Sequence, residues 1–412
     1  MTDHGNEDAR VRESPVPPPL EYPDGTVRDR RAGLGRRIVL VGLGHAHLLV
    51  AARAARFRAA GLYVTLIDEG AFWYSSIGSG LLAGRYERDD DVVEAEPFAR
   101  GCGIAFVRGR AARIDRDARE VVLTDGGRVP YDIVSLNVGS RVDPPFPVAG
   151  ENIWGPKPID RLLDLRERMS ASFAAGETVR WLTVGGNHSG AELTLNALAL
   201  VRTHGARMEA TLVTEAPELV TGEPPGARRA MREALGKAGC RVVTGTRVAE
   251  LRNGIARFAA TEDGEAPSPL SFEYALVATG LSAAPLVTEC DLPADVRDGL
   301  HVTPELHAPD DPRVFASGDC ASILGYDLPK VGVFGVRASP VLARNLIAAA
   351  TGRPLRRYRP QPIWFAAQNL GDGTGLASWG PVWWRGRSAL ALKDWNDRRF
   401  MRLYQQLEVT RA

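Results

Sequence analysis

Cysteine is scarce in this 412-residue chain, and the four present, Cys102, Cys240, Cys290 and Cys320, form no Cys-x-x-Cys and no other close pair. That spacing offers neither a disulfide framework nor a cysteine-based zinc site, and it suits a reducing compartment. Long apolar runs are missing as well. No stretch approaches the roughly eighteen residues of a membrane-spanning helix, and no signal-peptide core follows the N-terminus. The cytoplasm is therefore the expected location, with peripheral contact on the inner face of the membrane as the alternative. Charge of one sign is absent too. The formal net charge is +1, which removes the global field that nucleic-acid binding needs. With 44% apolar and 25% charged residues the composition is that of a globular protein, long enough for two or three domains.

What the chain does have is a pattern between Arg37 and Asp68. Ile38-Val39-Leu40-Val41 is a short β-branched apolar run that reads as a buried strand. Gly42-Leu43-Gly44-His45-Ala46-His47 turns it into an Ala/Leu-rich segment that reads as a helix to about Ala60, closed by Gly61. Leu62 to Ile67 is a second strand, ending at Asp68, twenty-four residues after Gly44. A dinucleotide site requires this order of parts. Gly42 permits the tight turn, Gly44 lets backbone approach a pyrophosphate, and the helix head at His45, Ala46 and His47 supplies N–H groups and partial positive charge. Asp68 is placed to accept hydrogen bonds from an adenosine ribose. His47 occupies the usual third-glycine position, so the fingerprint is incomplete, and an unliganded βαβ unit is the competing reading. His45 and His47 have no third ligand in sequence reach, so packing or ligand contact is expected rather than metal.

Further along, residues 1–34 are polar and proline-clustered and read as a disordered tail. Ala71 to Gly84 mixes aromatic and small residues, suited either to a flat ligand or to a buried loop. Ile104 to Leu136 reads as a small antiparallel meander whose last strand runs into Gly139-Ser140. Pro144 to Pro158 reads as a crossing between domains, followed by a helix from about Ile159 to Ala175. A second unit of the opening type then appears. It has a strand at Val179–Val184, a turn Gly185-Gly186-Asn187-His188-Ser189-Gly190, a helix Ala191–His204, and a strand Met208–Val213 with Glu215 just beyond. Asn187 stands where glycine would admit a pyrophosphate, and its side chain takes up space that the phosphate needs. His188 reads as a helix cap, or else as a substrate contact. Tyr274 to Gly280 and Arg313 to Asp319 are strands ending at glycine that return the chain to the first domain. Cys320 reads as a packing residue. From Arg353 onward there are eleven Lys/Arg against four Asp/Glu, and five of the eight tryptophans. Such a segment suits a membrane surface, with Ser388–Leu407 as its helix, or equally a dimer interface or domain cap.

The motif order resembles the pyridine nucleotide-disulfide oxidoreductase superfamily of two-dinucleotide flavoproteins. Within it, the chain is most similar to the branch of type II NADH dehydrogenases, sulfide:quinone oxidoreductases and the flavoprotein domain fused to selenide,water dikinase. The resemblance rests on Gly42 to His47, Ser135 to Ser140, Pro156 to Arg161, Ala278-Thr279-Gly280, Ser317-Gly318-Asp319 and Lys393 to Met401. It implies an α/β fold with two Rossmann-like, three-layer domains of the glutathione-reductase type and a C-terminal extension. The implied FAD domain is residues 35–155 and 275–352, the implied NAD(P)-binding-like domain 156–274, and the extension 353–412. It also implies that Gly42, Gly44 and Asp68 hold the adenosine pyrophosphate of FAD, with Gly139 and Gly280 at neighbouring turns. Gly318 and Asp319 would meet the ribityl chain, and Lys330, Val331 and Gly332 the pyrimidine edge. There Lys330 and the dipole of the following helix would stabilise negative charge on the ring. Gly185, Gly190 and Glu192 fall where relatives position NAD(P)H, and Glu215 where they reject a 2′-phosphate. Lys330 and Glu192 are the candidate catalytic residues, and no metal is expected.

No redox cysteine pair accompanies the first turn, which argues against disulfide reduction and weakens a sulfide substrate. The expected function is hydride transfer from NAD(P)H through FAD to a quinone-like acceptor. The alternatives are a nicotinamide-independent flavoprotein that oxidises sulfide or another small reductant, and a non-catalytic flavin-bound partner protein. A homodimer remains open beside peripheral membrane contact.

Overall fold

The structure is a computed structural model and describes residues 36–260 and 264–408; the expected tail, 1–34, lies outside them. Strand Arg37–Val41 is buried in all but its first residue, as a central strand of a covered parallel sheet must be. It pairs in parallel with Tyr63–Asp68 on one side and Ile133–Leu136 on the other. The sheet extends outward to Ala105–Arg108 and to Asp311–Ala316, with His307–Ala308 antiparallel at one edge. The opening helix runs as two pieces, His45–Ala51 and Ala54–Ala59. Gly61, at φ +70, takes the left-handed turn that feeds the second strand.

A second parallel sheet repeats the plan. Its order is Ile153–Trp154, Tyr274–Val277, Thr178–Val184, Arg207–Val213, Cys240–Val243. Helix His188–Thr203 connects its third and fourth strands. The fold is thus α/β with two Rossmann-type sheets.

Three expectations change. The Ile104–Leu136 stretch is an antiparallel meander only over its middle, Ala111–Asp115, Glu120–Leu123 and Arg128–Pro130. Its two ends pair in parallel within the first sheet, Ala105–Arg108 at an edge and the fully buried Ile133–Leu136 beside Arg37–Val41. Tyr274–Val277 does not return to the first domain. All four of its residues are buried against the second sheet, so the boundary expected at residue 274 falls later. The return is made by Leu281–Ala283, antiparallel to Ser140–Val142, a short two-stranded link that carries the chain across in both directions.

The C-terminal segment forms a three-stranded antiparallel sheet, Phe365–Asn369, Gly375–Trp379 and Val382–Gly386, and then helix Arg387–Gln405. One face of that helix, Ala389, Leu390, Lys393, Asp397 and Met401, is buried. The helix therefore caps the body of the molecule. Among the described residues no helix is long and apolar enough to cross a membrane.

Asn137, at the end of strand Ile133–Leu136, ties three segments of the first sheet. Its Oδ1 accepts from the N–H groups of Ala46 (2.9 Å) and His47 (3.1 Å), and its Nδ2 donates to the Ser317 carbonyl (2.5 Å). Substituting Asn137→Ala strands buried donors and an acceptor, each costing about 1–3 kcal/mol. The variant is expected to lose at least about 2 kcal/mol and to show a clearly lower thermal midpoint; an unchanged midpoint would refute this bridging role.

Candidate functional site

The first turn sits at the carboxyl end of the first sheet, where open α/β sheets bind ligands. Gly42 has φ +82, and a Cβ there would lie 2.8 Å from the Asn137 carbonyl. A Cβ on Gly44 would meet the same carbonyl and the Asn137 side chain at 2.5 Å. Both positions are closed to any side chain. Asp68 folds its carboxylate back over the turn, accepting from Leu43 N–H (2.7 Å) and Gly70 N–H (2.8 Å). Burial raises its pKa, with these N–H bonds pulling the other way.

A cavity of about 1700 Å³ starts at this turn, well above the roughly 300–1,000 Å³ of an ordinary small-ligand site. Gly42, Gly44, His45 and Asp68 line it, as do Gly139, Gly318, Asp319, Lys330, Val331 and Gly332, with Gly332 packed against the His45 ring. The two distant stretches around Gly42 and Asp319 therefore meet on one cavity. Asp319 Oδ2 accepts from Lys157 Nζ (2.7 Å) and Ser140 Oγ (2.8 Å). Burial would raise the Asp319 pKa, but Lys157, Ser140 and His45 outweigh it and hold the carboxylate below its usual range. Burial likewise pushes the His45 imidazole down to about 4 despite the pull of Asp319, so it is neutral near pH 7. Its ring packs edge-on against Phe72 at 5.0 Å and beside Tyr74 and Phe400, themselves stacked at 4.6 Å. Helix Gly332–Thr351 points its N-terminus at the cavity. The residues present fit an extended flavin dinucleotide, with a helix head and open glycines for the pyrophosphate, an ionised carboxylate for a polyol, and a second helix head for a ring that gains charge.

Several expected residues play a different part. Ala46 and His47 are fully buried and do not line the cavity. The His47 ring bonds the Gly42 carbonyl (2.7 Å) and Ser135 Oγ (2.8 Å), so it braces the turn from behind. Lys330 lines the cavity, yet its ammonium donates to the carbonyls of Asp319 (2.6 Å) and Asp298 (3.0 Å), fastening the loop. Gly280, at φ +72, lines neither cavity described here; the Asp143–Pro144 backbone takes up its Cβ space. Cys320 is buried, with its thiol toward the Leu136 and Ser317 carbonyls.

Another part of the cavity lining is a cluster in which Lys393 and Asp397 join Glu192, the one of the three already named as a candidate site residue. Lys393 Nζ donates to Asp397 (2.8 Å), Ser76 Oγ (3.0 Å) and the Ser76 carbonyl (2.5 Å). Asp397 also accepts from Tyr74 OH (3.2 Å). Glu192, on the second-domain helix, accepts from Ser79 Oγ (2.8 Å) and Asn369 N–H (2.9 Å). Burial raises the Glu192 pKa, with Lys393 as the main opposing charge. Burial works to lower that of Lys393, but Asp397 and Glu192 hold it above its usual range. The i,i+4 spacing of Lys393 and Asp397 on an otherwise amphipathic helix was the available signal.

A second cavity, about 440 Å³, meets the first at Asn187 and His188. Gly185 and the exposed Glu215 line it, together with Thr214 and Arg247. Gly190 does not; the Gly185 carbonyl presses where its Cβ would be, the close helix–strand contact that a third glycine serves. His188 is not the helix cap. Asn187 is, and His188 Nε2 turns to Glu223 at 2.7 Å. Among the described residues no His/Cys/Asp/Glu group is arranged for a metal ion.

Two glycine turns at the carboxyl ends of two parallel sheets, on cavities that meet at Asn187 and His188, have the plan of a Rossmann-type oxidoreductase. Residues 36–349 match the family model of pyridine nucleotide-disulphide oxidoreductases, and the chain belongs to that family. The demethylphylloquinone reductase NdbB of Synechocystis sp. is 25% identical over 270 residues, 63% of this chain and 65% of that protein, just under two thirds of its length. The fold is shared with the sulfide:quinone oxidoreductase of Aquifex aeolicus, at TM-score 0.79 and 16% identity over 92% of this chain and 93% of that one. It is shared too with NDH2 of Plasmodium falciparum, solved in complex with NADH, at TM-score 0.75 and 12% identity over 90% and 98%.

Asp91 generates a pH expectation. It is fully buried, one oxygen accepts from Tyr74 N–H (2.9 Å), and the other has no partner. Burial, with Asp397 and Asp90 adding to it and Tyr74 N–H and Lys393 opposing, raises its pKa to about 8. The folded state thus keeps a proton that the unfolded chain releases above about pH 4. The resulting stability is full below that value and is lost as pH rises toward 8. Thermal midpoints measured from pH 5 to 9 are expected to fall more steeply for the parent than for Asp91→Asn; parallel curves would contradict it.

Proposed function

We propose that this chain is an FAD-dependent oxidoreductase that takes a hydride from NAD(P)H and passes electrons to a quinone-like acceptor. The observation that carries the reading is the course of the large cavity. It takes in the first glycine turn, is joined by the second cavity at Asn187 and His188, and is lined as well by Trp364, Phe365, Glu192, Lys393 and Asp397. A flavin seat accounts for part of its volume and leaves room beside the C-terminal segment for a flat, apolar acceptor with polar oxygens. The quinone chemistry named for the cyanobacterial relative agrees with such an acceptor.

Bound FAD supplies the hydride and electron chemistry. The chain's own residues bind, orient and hold protons. The turn from Gly42 to His45 offers its helix head to the pyrophosphate. Asp319, kept ionised by Lys157 and Ser140, accepts from ribityl hydroxyls. The head of helix Gly332–Thr351 favours negative charge at the ring position. Lys393 and Glu192 stand at the acceptor end, where a quinone oxygen needs protons. A donor without nicotinamide is the second reading, favoured by the side chain of Asn187 at the second turn.

On the outer face of helix Arg387–Gln405, Leu392, Trp395 and Leu403 are exposed along one stripe, with Arg399 over the Trp395 ring at 5.4 Å. This stripe, in a basic segment, fits an anionic membrane surface. The double change Trp395→Ser, Leu403→Ser is expected to reduce co-sedimentation with anionic vesicles severalfold; equal sedimentation would remove the membrane from the reading.

Reconstituted protein is expected to show a flavin absorption band that NADH or NADPH bleaches anaerobically and a soluble quinone restores. Rapid bleaching excludes the nicotinamide-free reading, whereas no bleaching by either nucleotide removes the NAD(P)H donor. Glu192→Gln is expected to slow quinone turnover by about 100-fold or more; undiminished turnover would remove Glu192 from proton delivery.

A further inference from the structure

The two glycine turns have nearly the same backbone and differ in where one carboxamide comes from. Gly44 caps the first helix at φ −77, ψ 179, and Asn187 caps the second at φ −77, ψ −179. In each turn the first glycine is pressed against the carbonyl at the end of a neighbouring parallel strand, Asn137 for Gly42 (2.8 Å) and Ala278 for Gly185 (2.6 Å). Asn137 and Ala278 are therefore equivalent positions, as are Gly44 and Asn187.

At the first turn the carboxamide comes from the strand side. Asn137 Oδ1 satisfies the N–H of His47, three residues past the cap, while the cap itself is a bare glycine. At the second turn the strand offers only Ala278, whose Cβ would lie 3.2 Å from a Cβ on Gly190. The carboxamide comes from the cap instead. Asn187 Oδ1 accepts from Gly190 N–H (2.9 Å), again three residues on, and its Nδ2 donates to the Ala278 carbonyl (2.6 Å). The same helix-end donor is satisfied in both turns, from beneath in one and from the mouth in the other. The mouth is also where Asn187 is exposed and lines both cavities. A pyrophosphate approaches a helix head through that opening.

We infer that Asn187 sets the dinucleotide affinity of the second turn, its side chain standing in for the pyrophosphate and having to leave before a phosphate oxygen reaches the helix head. The inference rests on the pyridine-nucleotide reading above and deepens it. The chain would grip a nucleotide through its adenosine half, beside Glu215 and Thr214, more than through its phosphates.

The test uses full-length, FAD-reconstituted protein in three forms: parent, Asn187→Gly, and the double variant Asn187→Gly, Ala278→Asn. The double variant gives the second turn the arrangement of the first and keeps Gly190 N–H satisfied. Glycine is itself an accepted cap residue, so the single variant keeps the helix start. Calorimetric titration with ADP-ribose, which carries the pyrophosphate and no nicotinamide, reads binding without turnover. Dissociation constants are expected to fall by about tenfold in at least one glycine variant. Unchanged or weaker binding in both, with the parent still bleached by NAD(P)H, overturns the inference and leaves the donor reading intact. Failure of NADH and NADPH to bleach any of the three, when dithionite does, overturns the donor reading and this inference together.

Discussion

The carboxamide of Asn137 is the contact on which the first domain's site depends. It lies just past strand Ile133–Leu136, which is buried throughout. There its oxygen and nitrogen join the head of the first helix to the backbone at Ser317. A buried amide is stable only when its partners are complete, so this one fixes the distance between the first turn and the Gly318-Asp319 motif. It also explains the two glycines. They are bare because the Asn137 carbonyl and side chain leave no room for a Cβ, and that absence keeps the turn open on its outer side.

Where the C-terminal helix lines the cavity the governing constraint is charge. Lys393 and Asp397 are almost wholly buried, and isolated charges there would cost more than the fold can offset unless paired and hydrogen-bonded. They meet each other, Ser76 and Tyr74, which gives helix Arg387–Gln405 one register on the body of the protein. A helix that reads as a surface appendage in sequence thereby becomes a wall of the cavity. Its outward stripe of Leu392, Trp395 and Leu403 stays free on the other face.

Much of this was legible from local spacing, and for a physical reason. Strand, glycine turn, helix and acidic strand end all lie within about thirty residues, and each part is recognisable from its own residues. Gly42, Gly44 and Asp68 were found that way and Asp319 and Lys330 through the family resemblance, and all five line one cavity. What misled was burial. Tyr274–Val277 and Ile133–Leu136 are both short apolar strands ending near glycine, and nothing in either says which sheet it joins. His47 looked like a ligand contact because of its place in the fingerprint, whereas its ring lies behind the turn. Lys157 and Asn137 stood within quoted motifs, but their roles come from contacts 162 and 180 residues away.

The sequence alone determined the α/β class, the two glycine turns and their acidic strand ends, because backbone conformation at a glycine and apolar periodicity are local properties. It also exposed Asn187 as the odd residue of the second turn. Only the tertiary structure decided that Asn187 performs for Gly190 what Asn137 performs for His47, and that Glu192, Lys393 and Asp397 share one chamber. The longer of those pairings join residues about ninety to two hundred positions apart, and a contact over a few ångströms has no trace in the order of the chain until the chain is folded.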